Sequence, residues 1–158
     1  MKLGIKKQYH LLIWISAMLF ISLTIGNITK SSVNDWYVVL NKSILTPPSY
    51  MFGVVWSILY IMIASSGWLI WQKKEHGFVK SLFLLQILLN WLWTPLFFGL
   101  NLILASLVCL LCLVFILNFL IFKLLQQDIK SKPAILLLPY SIWSLFALYL
   151  NFYIWVYN

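Results

Sequence analysis

From Ser81 to Phe122 the chain runs without a single charged residue. That stretch is about twice the roughly 20 helical residues that cross the hydrocarbon of a bilayer. It is also far too apolar to lie on the surface of a water-soluble domain. A break is therefore required inside it, and Gly99-Leu100-Asn101 is the only plausible place, where turn-forming residues gather. The run predicts two membrane helices joined by a tight turn.

Composition extends this conclusion to the whole chain. Hydrophobic residues make up 63% and charged residues 9% of 158 positions, against roughly half and a quarter in soluble proteins. A chain of this length cannot bury so much apolar surface in one soluble core. With lipid as the solvent, every backbone polar group must be satisfied within the chain, and helices do this segment by segment. The expectation is an all-α integral membrane protein.

Five spans are expected in one domain covering 1–158, at about 11–28, 51–71, 81–98, 102–123 and 134–157. A long, partly helical loop over 29–50 joins the first two, and a short basic connection, QKKEHGFVK, precedes the third. The first span follows Lys2, Lys6 and Lys7 and begins like a signal peptide. It has no convincing small-x-small cleavage site and is long enough to span, so it reads as a retained helix.

The net charge of +8 is carried entirely by lysines, with no arginine for bidentate base or phosphate contacts. No nucleic-acid partner is expected. The lysines flank apolar segments, where they act as topology signals and meet anionic lipid. With five crossings, one side holds Lys2, Lys6, Lys7, Lys73, Lys74, Lys80, Lys123, Lys130 and Lys132, and the other holds Lys30 and Lys42. This bias predicts an inside N-terminus and an outside C-terminus, in a bacterial inner membrane.

The 29–50 connector carries Trp36, Tyr37, Leu40, Lys42 and Pro47-Pro48. Asn34 or Asp35 is placed to cap a short helix, and the proline pair prevents its continuation. Two readings stand side by side: an interfacial aromatic anchor, or a lid over the mouth of the bundle.

Inside the spans, uncharged polar and aromatic residues carry the information. Gln86 and Asn90 are four apart on one helical face, with Trp93 a further turn along. An unpaired amide in hydrocarbon costs on the order of several kcal/mol, so both should point inward. There they serve either as interhelical glue, worth about 0.6 kcal/mol per bond, or as ligand contacts. Pro139, Trp143, Ala147 and Asn151 repeat at spacings of four, with Tyr140 and Phe146 adjoining. Mid-span Trp56, Trp93 and Trp143 are candidates for a cavity lining, whereas Trp14, Trp68, Trp71 and Trp155 lie nearer span ends as anchors. Ala147 would leave room for a flat ligand.

The chemical inventory is otherwise sparse. Cys109 and Cys112 have CxxC spacing, but within an apolar helix packing is the better explanation. His10 and His76 lie outside the spans, and the three acids, Asp35, Glu75 and Asp128, lie in loops. No metal site and no cofactor is expected, and acid–base catalysis has almost nothing to work with.

Taken in order, four groups of residues form one pattern: Trp36, Tyr37, Leu40, Lys42, Pro47, Pro48; Trp56, Leu59, Tyr60; Gln86, Asn90, Trp93, Phe97, Phe98; and Pro139, Tyr140, Trp143, Phe146, Ala147, Leu150, Asn151. The pattern covers nearly the whole chain and resembles the tryptophan-rich sensory protein and translocator protein family. The resemblance implies a five-helix bundle, often dimeric, that binds porphyrins or other flat hydrophobic ligands, including benzodiazepine-like drugs, in a cavity opening toward the first long loop. A sensing or transport role follows. Ligand contacts are then expected at Tyr37, Pro47, Trp56, Tyr60, Gln86, Asn90, Trp93, Phe97, Trp143, Phe146, Ala147 and Leu150. Trp56 and Trp143 match the pair linked in some members to light- and oxygen-dependent porphyrin breakdown, which makes an enzymatic role the alternative. A purely structural membrane protein is a third reading.

The chain departs from the family pattern at three places. Ser43 and Leu45 stand where a proline and an aromatic residue usually stiffen the turn, so a looser lid is expected. Ala105 and Cys109 replace a tryptophan and an aspartate on the fourth helix, which removes a cavity contact. The ending ALYLNFYIWVYN lacks the basic residue of the sterol motif of animal members. Gly53 and Ser57 form a small-xxx-small pair that serves packing within the bundle more often than a homodimer.

Overall fold

The computed structural model describes residues 5–73 and 77–158, with the backbone alone at 5–8 and 29–35. Lys2, Lys74, Glu75 and His76 lie outside the described residues. The order is α1 (Ile5–Asp35), a 3₁₀ turn (Tyr37–Val39), α2 (Ser49–Trp71), α3 (Gly77–Thr94), a π-helical turn (Pro95–Gly99), α4 (Ile103–Gln127) and α5 (Lys132–Tyr157). All five helices are long and apolar enough to cross a membrane, and the described residues contain no strand.

Two boundaries differ from expectation. Residues 29–35, assigned to the connector, continue α1 to Asp35. The segment TKSSVND contains neither proline nor glycine, so nothing in it stops a helix whose backbone bonds are already propagating. A 31-residue helix is roughly 46 Å long and outruns a hydrocarbon core of about 30 Å. Asn34 and Asp35 therefore end α1 and do not cap a second helix. Trp36 occupies the capping position of the 3₁₀ turn without a side-chain cap bond. The basic connection is also shorter than expected, because α3 begins at Gly77.

The helices form a ring in the order α1–α2–α5–α4–α3, and α1 closes it chiefly against the π turn at the end of α3. The driest core lies among α2, α3, α4 and α5, where Ile63, Phe83, Leu113, Leu117, Leu120, Leu137 and Tyr140 are fully buried. On α1 only Met18 is buried among the described side chains, and most of that helix faces outward. Cys109 is buried, with its thiol 3.4 Å from the Leu89 carbonyl, while Cys112 is exposed. The pair therefore lies on different faces and is not joined.

The Gly99–Asn101 break is where the sequence places it. The Leu100 amide closes the wide turn on the Pro95 carbonyl at 2.9 Å. Asn101 then takes φ 57°, a left-handed conformation that asparagine tolerates better than most residues.

Candidate functional site

A cavity of about 520 Å³ opens in the half of the bundle that carries the connector, between α1, α2 and the end of α3. Alpha2 contributes Ser49, Tyr50, Phe52, Gly53, Trp56, Ser57 and Tyr60, which share one face of the helix because residues three and four apart are neighbours. Alpha3 contributes Trp93 and Thr94, and the π turn that follows it contributes Phe98. The π turn matters here. Pro95 has no amide to donate, and the widened turn sends Phe97 into the core and Phe98 toward the cavity. Tyr37 descends from the 3₁₀ turn as a roof, with its ring 5.4 Å from Phe98 and 6.0 Å from Phe97. Burial raises the Tyr37 phenol above the ordinary tyrosine range, so it is neutral there.

The rings of the wall touch one another. Trp56 lies 5.8 Å from Tyr60 and 6.2 Å from Trp93 between ring centroids. Behind them a buried amide network fixes their orientation. Tyr60 donates to Asn90 Oδ1 at 2.5 Å, and Asn90 Nδ2 donates to the Tyr140 hydroxyl at 3.0 Å. Trp93 Nε1 donates to Asn151 Oδ1 at 3.1 Å, which also accepts from Ser106. Asn151 Nδ2 in turn holds the Ile103 carbonyl at 3.2 Å, at the start of α4. Satisfied amides of this kind set ring geometry because the alternative is an unpaired group in a dry core.

The connector is tied down at its far end. Asn41 and Asn158 pair reciprocally: the Asn41 amide donates to Asn158 Oδ1 at 2.8 Å, and Asn158 Nδ2 donates to the Asn41 carbonyl at 3.1 Å. Lys42 Nζ donates to the Tyr37 and Val38 carbonyls, both at 2.9 Å, and lies over the Tyr37 ring. Ser43 is buried, its hydroxyl 2.8 Å from the Tyr149 hydroxyl and accepting from the Leu45 amide at 3.2 Å. The serine expected to loosen this segment thus fastens it to α5, through a side-chain turn that proline could not make. Leu45 itself is exposed.

Among the twelve residues singled out from sequence, Tyr37, Trp56, Tyr60 and Trp93 line the cavity. Phe97, Ala147 and Leu150 line a separate chamber of about 20 Å³ beyond Trp93 and Phe98, room for about one water. Asn90 stands behind Tyr60. Gln86 is fully buried a turn deeper, and neither of its amide atoms meets a protein partner. Trp143 packs at 6.0 Å behind Phe52 and at 5.5 Å from Phe146, outside the main cavity. Pro47 lies in the connector and lines neither space. Ala105 is exposed, and Cys109 packs toward α3. Of the tryptophans assigned to the span ends, Trp68 is buried in the core and Trp14 packs at a tilt against Trp71, with ring centroids 5.1 Å apart.

The wall supplied by α1, Ser22, Leu23, Ile25, Gly26 and Asn27, was not anticipated. Its signal was present in a small and polar set recurring at i, i+4 and i+5 within an apolar span. Among the described residues, no group of three metal-ligating side chains is found.

Comparison with known proteins is consistent across most of the chain. The model of the TspO/MBR family matches residues 14–156. "Tryptophan-rich protein TspO" of Archaeoglobus fulgidus is 39% identical over 91% of this chain and 94% of its own length. The "Tryptophan-rich sensory protein" of Cereibacter sphaeroides is 29% identical, covering 75% of this chain and 74% of that protein. The human "Translocator protein" is 32% identical over 76% of this chain and 73% of its own length.

Proposed function

The chain belongs to the TspO/MBR family, and we propose that it is a membrane receptor or carrier for a flat, hydrophobic, porphyrin-like ligand. The observation that carries this reading is the cavity itself. Its volume of about 520 Å³ falls within the range of small-molecule sites. Its walls present the rings of Tyr37, Phe52, Trp56, Tyr60, Trp93 and Phe98, whose faces suit a planar π-system. A sensing role agrees with the names of its relatives, and the connector that roofs the cavity is the part placed to report occupancy. The bias of lysines supports a cytoplasmic placement of the end that carries Lys73, Lys80, Lys123, Lys130 and Lys132.

Binding is favoured over light-dependent breakdown by the position of the indoles. Trp56 reaches the cavity wall, but Trp143 stands behind Phe52, so only one of the two tryptophans of that reading would touch a bound ring.

Titration of the purified protein with protoporphyrin IX tests the proposal. Saturable quenching of tryptophan fluorescence is expected, with half-saturation about tenfold weaker in Trp56→Phe, a loss of about 1.4 kcal/mol. Trp143→Phe should remain within twofold of the parent. Quenching that never saturates would dispose of a defined site.

A further inference from the structure

The end of the bundle opposite the connector joins charge to aromatic rings in a different way. The segments of sequence that leave the bundle there hold every lysine except Lys30 and Lys42, against the acids Glu75 and Asp128. Lysines therefore remain in excess whichever of them those acids meet. One of these lysines, Lys123, is built into the last turns of α4. It lies twenty positions beyond Ile103, roughly 30 Å along the helix, so that a hydrocarbon core of about 30 Å ends close to it. Its side chain stands at the level of lipid headgroups.

A lysine at this level ordinarily extends its ammonium into water. Lys123 is instead half-buried and folds back over rings. Its Nζ stands 5.4 Å from the centroid of Phe119 and 5.8 Å from that of Phe122, within the range at which a ring face attracts a cation. It also donates to Gln126 Oε1 at 3.2 Å. An ammonium has three donors, and a neutral amide takes one of them without cancelling the charge. Phe119 in turn stacks on Phe115 at 6.4 Å and meets Phe78, on α3, edge-on at 6.2 Å. Three of these rings face outward: Phe78 is 60% exposed, Phe115 71% and Phe122 52%. Phe115 lies about two turns deeper than Lys123, roughly 12 Å along the helix. A positive charge held at headgroup level thus stands above an aromatic strip at the depth of acyl chains.

From these observations we infer that the strip is a binding site for one anionic phospholipid, with the phosphodiester on Lys123 and an acyl chain along Phe119 and Phe115. A phosphate oxygen on an ammonium makes a charge-assisted hydrogen bond, and it replaces hydration that the ammonium gives up where it lies over the rings. The rings also restrain the lysine beforehand, so little side-chain freedom is lost on binding. A zwitterionic lipid brings the same phosphate, but its own cation competes for it, so the net charge of the headgroup decides the selectivity. The site is independent of the cavity and of the ligand proposed for it.

Native mass spectrometry of the full chain in detergent counts bound lipid as phosphatidylglycerol or phosphatidylcholine of the same acyl length is added. The first phosphatidylglycerol should bind at about one-fifth or less of the phosphatidylcholine concentration, in line with the attraction of one lysine near a membrane surface. Lys123→Gln should abolish that preference and Lys123→Arg should keep it. Lys130→Gln, the same loss of charge in the loop beyond α4, should leave it within about twofold. Phe115→Ala removes an exposed ring without touching the core, and should weaken binding of phosphatidylglycerol about threefold or more. Equal binding of the two lipids by the parent, or a Lys130→Gln variant as impaired as Lys123→Gln, would reduce the site to diffuse charge and overturn the inference. Displacement of the lipid by glycerophosphate at the same concentration would overturn the part played by the acyl strip. The two lipids on the parent and on Phe115→Ala decide the matter whether or not Lys123→Gln folds.

Discussion

Two glycines on α2 show how differently the two ends of one helix–helix contact are built. At Gly67 a Cβ would lie 2.5 Å from Phe83 Cζ and 2.8 Å from Trp14 Cζ3. At Gly53 a Cβ would meet nothing within 4 Å. The two positions are fourteen residues apart, roughly 21 Å along the helix. At the Gly67 end, Trp14, Trp71 and Phe83 form a cluster with centroid separations of 5.1, 6.3 and 5.8 Å, which plugs the space between α1, α2 and α3. At the Gly53 end the same three helices stand apart and the space is the cavity. Aromatic residues serve both ends: at one they fill the gap, and at the other they line it.

Leucine at each position should separate these roles. Gly67→Leu is expected to have the largest effect. Removing a mid-helix glycine favours the helix by about 1 kcal/mol. The new side chain, however, collides with Phe83, a fully buried ring that cannot move aside. Overpacking of this kind costs about 1–3 kcal/mol or more, so the clash outweighs the helix gain. Thermal unfolding in detergent should show a clearly lowered midpoint or little recoverable folded protein. An unchanged midpoint would mean that the Trp14 plug is not tightly packed.

The same substitution at Gly53 should reverse the balance. The side chain enters open space, so stability should be unchanged or raised by up to about 1 kcal/mol. The cavity loses volume beside Trp56, and porphyrin affinity should fall about tenfold, equivalent to about 1.4 kcal/mol. A variant that binds as well as its parent would place the ligand elsewhere.

The fold was legible because lipid simplifies the code: long charge-free runs interrupted by lysine-bearing loops leave few alternatives to five helices. The turn at Gly99–Asn101 was legible for the same reason, since only one cluster of turn residues interrupts the longest run. The extension of α1 was not. Polar residues such as Ser31, Ser32 and Asn34 mark the exit from hydrocarbon, but leaving hydrocarbon does not require leaving the helix. Within the site, spacing identified the Trp56–Tyr60 face and the Asn90–Trp93 face. It could not show that Phe52 stands between Trp143 and the cavity, because a covering side chain from another helix leaves no trace in the periodicity of α5. The α1 wall is hidden for a related reason: Ser22, Gly26 and Asn27 lack the aromatic signature of the other walls. Ser43 stands where the family pattern has proline, yet a buried hydroxyl with two partners restrains a turn by a different mechanism.

The smallest expected effect concerns the latch, and it sharpens the comparison most. Asn41→Ala removes the side-chain bond from Asn41 Nδ2 to the Tyr157 carbonyl, 3.1 Å long and exposed. It leaves the backbone groups of residue 41 paired with Asn158. Exposed hydrogen bonds contribute about 0.5–1.5 kcal/mol, so the midpoint should fall only slightly. Because Ser43 still holds the connector to the Tyr149 hydroxyl, loosening this end should leave the rate of porphyrin release within about twofold. Stopped-flow recovery of tryptophan fluorescence, after excess protein-free nanodiscs capture the released ligand, measures that rate. A rise of tenfold or more would instead make the connector the gate. The empty Gly53 end would then be a pocket roofed by a mobile latch, while the Gly67 end would still be the fixed clamp about which α1 and α2 are held.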